Sequence, residues 1–66
     1  MKMNFGLWLL TQGDRTDPIG AAAEYAAQDP KFPRDKWRLN VFLTWAGEDD
    51  TLRSVIKQAH TEWRTA

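Results

Sequence analysis

The sequence predicts an all-α fold, a compact bundle of four short helices that forms a single domain over residues 1–66. Three observations support it. Apolar residues recur at the helical spacing i, i+3, i+4, i+7. Asn, Asp, Pro and Gly divide the chain into four such segments. The sequence has neither an alternating β-branched run nor an Asn-Gly hairpin turn, which are the usual signs of strands.

The first predicted helix is the segment NFGLWLLTQ, residues 4–12. Asn4 is placed to cap it, because a side-chain oxygen at that position accepts a hydrogen bond from the first turn. Phe5, Trp8 and Leu9 share one face of the helix. Gly13 is expected to end the helix as a left-handed residue.

The second predicted helix begins at DPIGAAAEYAA, residues 17–27. Asp17 caps it and Pro18 occupies the first helical position, where a missing N–H has no cost. Gly20 lowers helix propensity, so we expect it to make room for a neighbouring backbone or for Trp8. The alternative is a ligand at the first N–H groups of this helix. Its predicted inner face is Ile19, Ala22, Ala23 and Ala26.

The segment QDPKFPRDKW, residues 28–37, is predicted to be a loop, because two prolines interrupt any helix. Phe32 is expected to point inward as an anchor. The third helix is predicted from about Lys36 to Ala46, with Asp35 as its cap and Gly47 as its end.

The fourth helix is predicted from about Thr51 to Arg64, capped by Asp49 or Asp50. Its apolar residues recur at the helical period and form one continuous stripe. That stripe consists of Leu52, Val55, Ile56, Ala59 and Trp63.

The chain lacks the residue sets that catalysis and metal binding require. It has no cysteine and one histidine, His60, and its four glycines are isolated. Ser54 and His60 lie on different sides of one helix, so a nucleophile–base pair is not expected. Glu48, Asp49 and Asp50 do not follow a calcium-loop pattern. We therefore expect no enzymatic activity, no cofactor and no metal.

The third helix offers one candidate binding surface. Trp37, Val41 and Trp45 recur every four residues, and Arg34 and Arg38 flank them. Tryptophan and arginine are typical of the residues that dominate protein–protein binding energy. The sequence thus predicts a surface for a protein partner, and a weak homodimer through the same face is a variant of it. Alternatively, this helix is central in the fold and its tryptophans belong to the core.

A second candidate is the basic row of the fourth helix, which comprises Arg53, Lys57, His60 and Arg64. Such a row can lie along a nucleic-acid backbone. The nine basic and nine acidic residues give no net charge, and this ranks nucleic acid below protein as a partner. No apolar run is long enough for a signal peptide or a membrane helix, so we expect a cytoplasmic location and no membrane contact.

The motifs WLLTQGDRTDPIG and DPKFP resemble the YozE-like family, small bacterial proteins with a SAM-like helical fold. The resemblance is closest over residues 8–33, and AHTEW at 59–63 is similar to the closing aromatic helix of the family. It implies a SAM-like arrangement of the four helices and a structural role for Arg15 as a bridge to Asp17 or Asp29. It implies no particular function.

Overall fold

The computed structural model describes residues 2–66 and contains four helices, with no strand among those residues. The helices are α1 (Phe5–Leu10), α2 (Pro18–Gln28), α3 (Leu39–Ala46) and α4 (Asp50–Thr65). This confirms the predicted all-α, four-helix architecture.

Three helices begin at side-chain caps that the sequence predicts. Asn4 accepts a hydrogen bond from the N–H of Leu7 at 2.8 Å, and Asp17 accepts one from Gly20 at 3.0 Å. Of the two candidates for α4, Asp49 is the cap, and it accepts from the N–H of Leu52. Each cap satisfies a first-turn N–H that has no partner within its helix.

The predicted start of the third helix is wrong. α3 begins at Leu39 rather than Lys36, and Asp35 does not cap it. The reason is that the carbonyls that would extend the helix backwards have other partners. The Lys36 carbonyl accepts a hydrogen bond from the N–H of Gly6 at 3.2 Å, and the Trp37 carbonyl lies 3.0 Å from Nε2 of His60.

The expectation for Gly13 is also wrong. α1 ends at Leu10, and a turn follows in which the N–H groups of Thr11 and Gln12 bond to carbonyls of that helix. Gly47, at the end of α3, is the only glycine with a positive φ in the described part of the chain. The turn after α1 therefore needs no left-handed residue.

Gly20 has the role that the sequence assigns to it, close approach of a backbone. A Cβ on Gly20 would collide with the carbonyl oxygen of Arg15, because the chain before α2 passes directly against the helix start. The neighbour is the backbone of Arg15 and not the ring of Trp8.

The core is built around α4, whose backbone lies close to those of the other three helices, whereas the backbone of α3 lies close to that of α4 alone. The aromatic side chains of α3 nevertheless reach α1 and α2. The largest fully buried side chains are Phe5, Leu9, Phe42 and Ile56. The Phe5 and Phe42 rings meet edge to face with centroids 4.7 Å apart, an arrangement that aromatic quadrupoles favour. The central helix is therefore α4, not the third helix.

Candidate functional site

Trp37 lies in the segment that joins α2 to α3, and three contacts fix that segment. Phe32 is buried and packs against Phe42 and Trp45. Gly6 of α1 touches the segment so closely that a Cβ there would lie 2.5 Å from the Arg34 carbonyl oxygen. The N–H of Gly6 also donates to the Lys36 carbonyl at 3.2 Å, so the segment is tied to the core on both sides of Arg34.

The side chain of Trp37 is half exposed, at 50% of its full accessible area. Its ring meets that of Trp63 of α4 at an angle, with ring centroids 5.7 Å apart and planes at 63°. Its carbonyl is the hydrogen-bond partner of His60. Trp37 is therefore held in one position while much of its ring remains accessible to another molecule.

Trp45 has different surroundings from Trp37. Its indole N–H donates to a carboxylate oxygen of Asp29 at 2.9 Å, and its ring packs against Phe32 and Tyr25. The side chain is partly buried against the core. Because α3 starts only at Leu39, the four-residue spacing from Trp37 to Trp45 does not correspond to one helix face.

Of the other residues of the candidate surface, one is partly buried like Trp45 and two are exposed like Trp37. Val41 packs against the core and is partly buried. Arg34 and Arg38 are exposed, and neither side chain has a hydrogen bond or an ion pair with any residue between positions 2 and 66. Arg34, Trp37 and Arg38 are therefore exposed residues of the same short segment.

The basic row of α4 separates into bound and free members. Arg53 donates to the carbonyls of Leu43 and Gly47 at 3.0 and 3.1 Å, and so satisfies the C-terminal end of α3. His60 is bonded to the Trp37 carbonyl. Lys57 and Arg64 are exposed and have no side-chain partner in the described part of the chain.

Lys2 adds a further cation next to Trp63. Its ammonium group donates to the carbonyls of Trp63 and Arg64 at 2.8 and 3.0 Å. It also lies 5.0 Å from the Trp63 ring centroid, within the range of a cation–π contact. Sequence reasoning did not identify this residue, because the contact joins the two ends of the chain.

The resemblance implied that Arg15 bridges to Asp17 or Asp29, and the structure contains the first of these pairs. Arg15 binds Asp17 at 2.6 Å and Glu62 of α4 at 3.0 Å. Hydrogen bonds to Glu62 and Asp17 raise the pKa of Arg15. Hydrogen bonds from Arg15 and from the Gly20 N–H lower the pKa of Asp17. Arg15 therefore ties the start of α2 to the end of α4.

Asp29, the other carboxylate named for Arg15, has different partners. It accepts hydrogen bonds from the Lys31 N–H and from the Trp45 indole. These two donors, the Lys31 N–H first, lower the pKa of Asp29. Asp29 therefore fixes Trp45 and the beginning of the α2–α3 segment.

An apolar groove of about 380 Å³ lies between α2 and α4. Its lining includes Ala21, Tyr25, Asp49, Leu52 and Val55. The sequence did not predict this groove, although the small alanine side chains of α2 leave space for it.

Residues 2–66 contain no cluster of three or more His, Cys, Asp or Glu side chains that could hold a metal ion. Nor do they include a helix that is long and apolar enough to cross a membrane.

These features define a small four-helix domain with an exposed tryptophan and two exposed arginines on the segment between α2 and α3. The family model for the YozE SAM-like fold matches residues 5–65 of the chain. The chain therefore belongs to the YozE-like family with a SAM-like fold, as the motifs in its first half indicated. No curated protein and no solved structure matches it.

Proposed function

We propose that this chain is a non-catalytic module that binds another protein through Trp37, Arg34 and Arg38, here called the Trp37 surface. The observation that carries the proposal is the state of Trp37, a large aromatic side chain that is half exposed yet packed against Trp63. An aromatic ring already fixed in position loses little conformational entropy on binding.

The neighbouring residues support the same function. Tryptophan and arginine are the residue types most enriched among those that dominate protein–protein binding energy. Arg34 and Arg38 are exposed and lie three positions before and one position after Trp37. Val41 and Trp45 are not part of the proposed contact, because both side chains are partly buried against the core.

A second candidate function is nucleic-acid binding by the basic row, and the exposed side chains of Lys57 and Arg64 favour it. Against it, Arg53 and His60 are already bonded to backbone carbonyls of the protein itself. Two free cations instead of four leave a weak electrostatic attraction to a phosphate backbone, since each contact releases about one counterion.

The test is affinity capture from bacterial lysate with the tagged wild-type chain and two variants, each with and without nuclease. Trp37→Ala removes the proposed anchor. Tyr25→Ala is the matched control, because Tyr25 is an equally exposed aromatic residue, at 56%, that packs against Trp45 instead. Far-ultraviolet circular dichroism checks that both variants remain helical.

We expect the wild-type chain to capture a protein partner even after nuclease treatment. Tyr25→Ala should still capture this partner, and Trp37→Ala should not. Capture that Trp37→Ala leaves intact contradicts the proposed surface. Capture that disappears with nuclease, and with Lys57→Gln and Arg64→Gln combined, supports the second candidate instead.

The oligomeric state and the location belong to the same proposal. We propose a monomer or a weak homodimer that acts in the cytoplasm. Sedimentation of wild-type and Trp37→Ala protein over a range of concentrations tests the first point. A dimer that Trp37→Ala abolishes would make the partner a second copy of this chain.

A further inference from the structure

The two binding surfaces that the sequence suggested meet at Trp37. His60, a member of the basic row, is bonded to the Trp37 carbonyl at 3.0 Å. Lys57 lies three positions before His60 and Arg64 four positions after it, so all three share one face of α4. The free cations of α4 therefore lie on the helix face whose His60 contacts the Trp37 segment.

Charge is unevenly distributed over the molecule. The whole chain carries nine basic and nine acidic residues. Five cations come from residues 34–38 of the α2–α3 segment and from the free members of the basic row. Asp35 is the one acidic residue within 34–38. Glu62 of α4 is already paired with Arg15. The cations of this region are Arg34, Lys36, Arg38, Lys57 and Arg64. The rest of the chain consequently has an excess of negative charge.

We propose that the Trp37 surface, extended by Lys57 and Arg64, binds an acidic peptide segment that carries an apolar or aromatic residue. This inference rests on the proposed function and specifies its partner. The exposed part of the Trp37 ring offers an apolar contact, and the exposed cations of the same segment and of the adjoining face of α4 favour carboxylates. Arginine is well suited to this, because its guanidinium group binds a carboxylate through two parallel hydrogen bonds.

The arrangement of the cations favours a peptide over a nucleic acid. Lys57 and Arg64 are seven residues apart, which is about 10 Å along the helix. The positions between and before them that could complete a row are occupied by His60 and Arg53, whose ring and guanidinium groups bond to the protein backbone. The free cations of α4 therefore do not form a continuous track along the helix.

The test is a display selection with random peptides of about 12 residues, long enough to cover a surface of this size. Peptides are selected on the wild-type chain and counter-selected on Trp37→Ala. We expect the recovered peptides to be rich in Asp and Glu around an apolar residue. Their affinity should weaken as salt is raised, because the attraction is electrostatic.

Charge reversal provides the matched control. Arg38→Glu should weaken binding of a recovered peptide about tenfold, since a like charge then faces the carboxylates. Lys31→Glu makes the same change of charge at an exposed residue next to Asp29, at the other end of the segment, and should weaken binding about twofold or less. Circular dichroism confirms that both variants fold.

The other outcomes are distinguishable. Peptides that depend on Trp37 but are neutral or basic overturn the acidic partner and leave the proposed function standing. A selection that yields no Trp37-dependent peptide contradicts the proposed function itself. A single-stranded oligonucleotide that binds more tightly than the recovered peptides, and is lost in Arg38→Glu but not in Trp37→Ala, overturns the inference in favour of nucleic acid.

Discussion

Trp37 and Trp45 are eight residues apart and belong to one predicted stripe, but the fold uses them differently. The indole N–H of Trp45 is satisfied by Asp29, and its ring is enclosed by Phe32 and Tyr25. The indole N–H of Trp37 has no partner within residues 2–66, and its ring is half exposed. A buried tryptophan needs a hydrogen-bond partner for its N–H, so the Asp29 contact marks Trp45 as structural.

The largest expected difference between these two regions is in stability. Trp45→Ala should lower the free energy of unfolding by about 3 kcal/mol, because it leaves a cavity against Phe32 and removes one of the two hydrogen-bond donors to Asp29. Trp37→Ala should cost about 1 kcal/mol, since only the face against Trp63 loses burial. Urea denaturation followed by circular dichroism measures both. Equal losses of unfolding free energy in the two variants would contradict the assignment of Trp45 to the core and of Trp37 to the surface.

The parts of the fold that the sequence predicts correctly depend on neighbouring residues. Asn4, Asp17 and Asp49 each cap a helix through a hydrogen bond to the residue three positions later. A cap of this kind is a local interaction, so its residues appear together in the sequence. The motif around Asp17 and Pro18 is also part of the family resemblance, which the family model confirms.

The start of α3 could not be predicted, because it depends on contacts between distant parts of the chain. Gly6 and His60 take the carbonyls of Lys36 and Trp37, and neither partner is near them in sequence. The same limit applies to the basic row. Its helical spacing is visible in the sequence, but the bond from Arg53 to the end of α3 is not.

α1 holds the segment that carries Trp37 through a close contact at Gly6. Gly6→Ala would place a Cβ 2.5 Å from the Arg34 carbonyl oxygen, so that the segment has to move away from α1. We expect a loss of about 2 kcal/mol from such overpacking, and weaker binding at the Trp37 surface. Equilibrium unfolding in urea measures the loss, and the peptide-binding assay measures the displacement of Trp37.

Gly13→Ala is the control for this change. A Cβ on Gly13 would meet nothing closer than the Glu24 side chain at 3.9 Å, and its φ is not positive. Because alanine restricts the unfolded chain and fits this position, Gly13→Ala should stabilise the protein by about 0.5 kcal/mol. If Gly6→Ala is as stable as Gly13→Ala, the close contact between α1 and the segment does not position Trp37.

The smallest expected effect concerns Asp29 and the pH dependence of stability. Hydrogen bonds from the Lys31 N–H and the Trp45 indole lower the pKa of Asp29 in the folded state. A carboxyl group with a folded pKa below its unfolded value of about 3.9 stabilises the protein above that value. This contribution is lost as the pH falls through the folded pKa. Asp29→Asn should therefore be less stable than wild type at neutral pH, and the difference should shrink below about pH 4.

Urea midpoints measured from neutral to acidic pH test this prediction, and Trp45→Phe refines it. Phenylalanine removes the indole N–H that donates to Asp29 while it retains an aromatic ring against Phe32. Since Asp29→Asn and Trp45→Phe disturb the same hydrogen bond, their effects at neutral pH should not add. Additive effects, or a difference between wild type and Asp29→Asn that is constant with pH, would contradict the role of this carboxylate. Trp45 would then be held by packing alone, and its N–H partner would no longer distinguish it from Trp37.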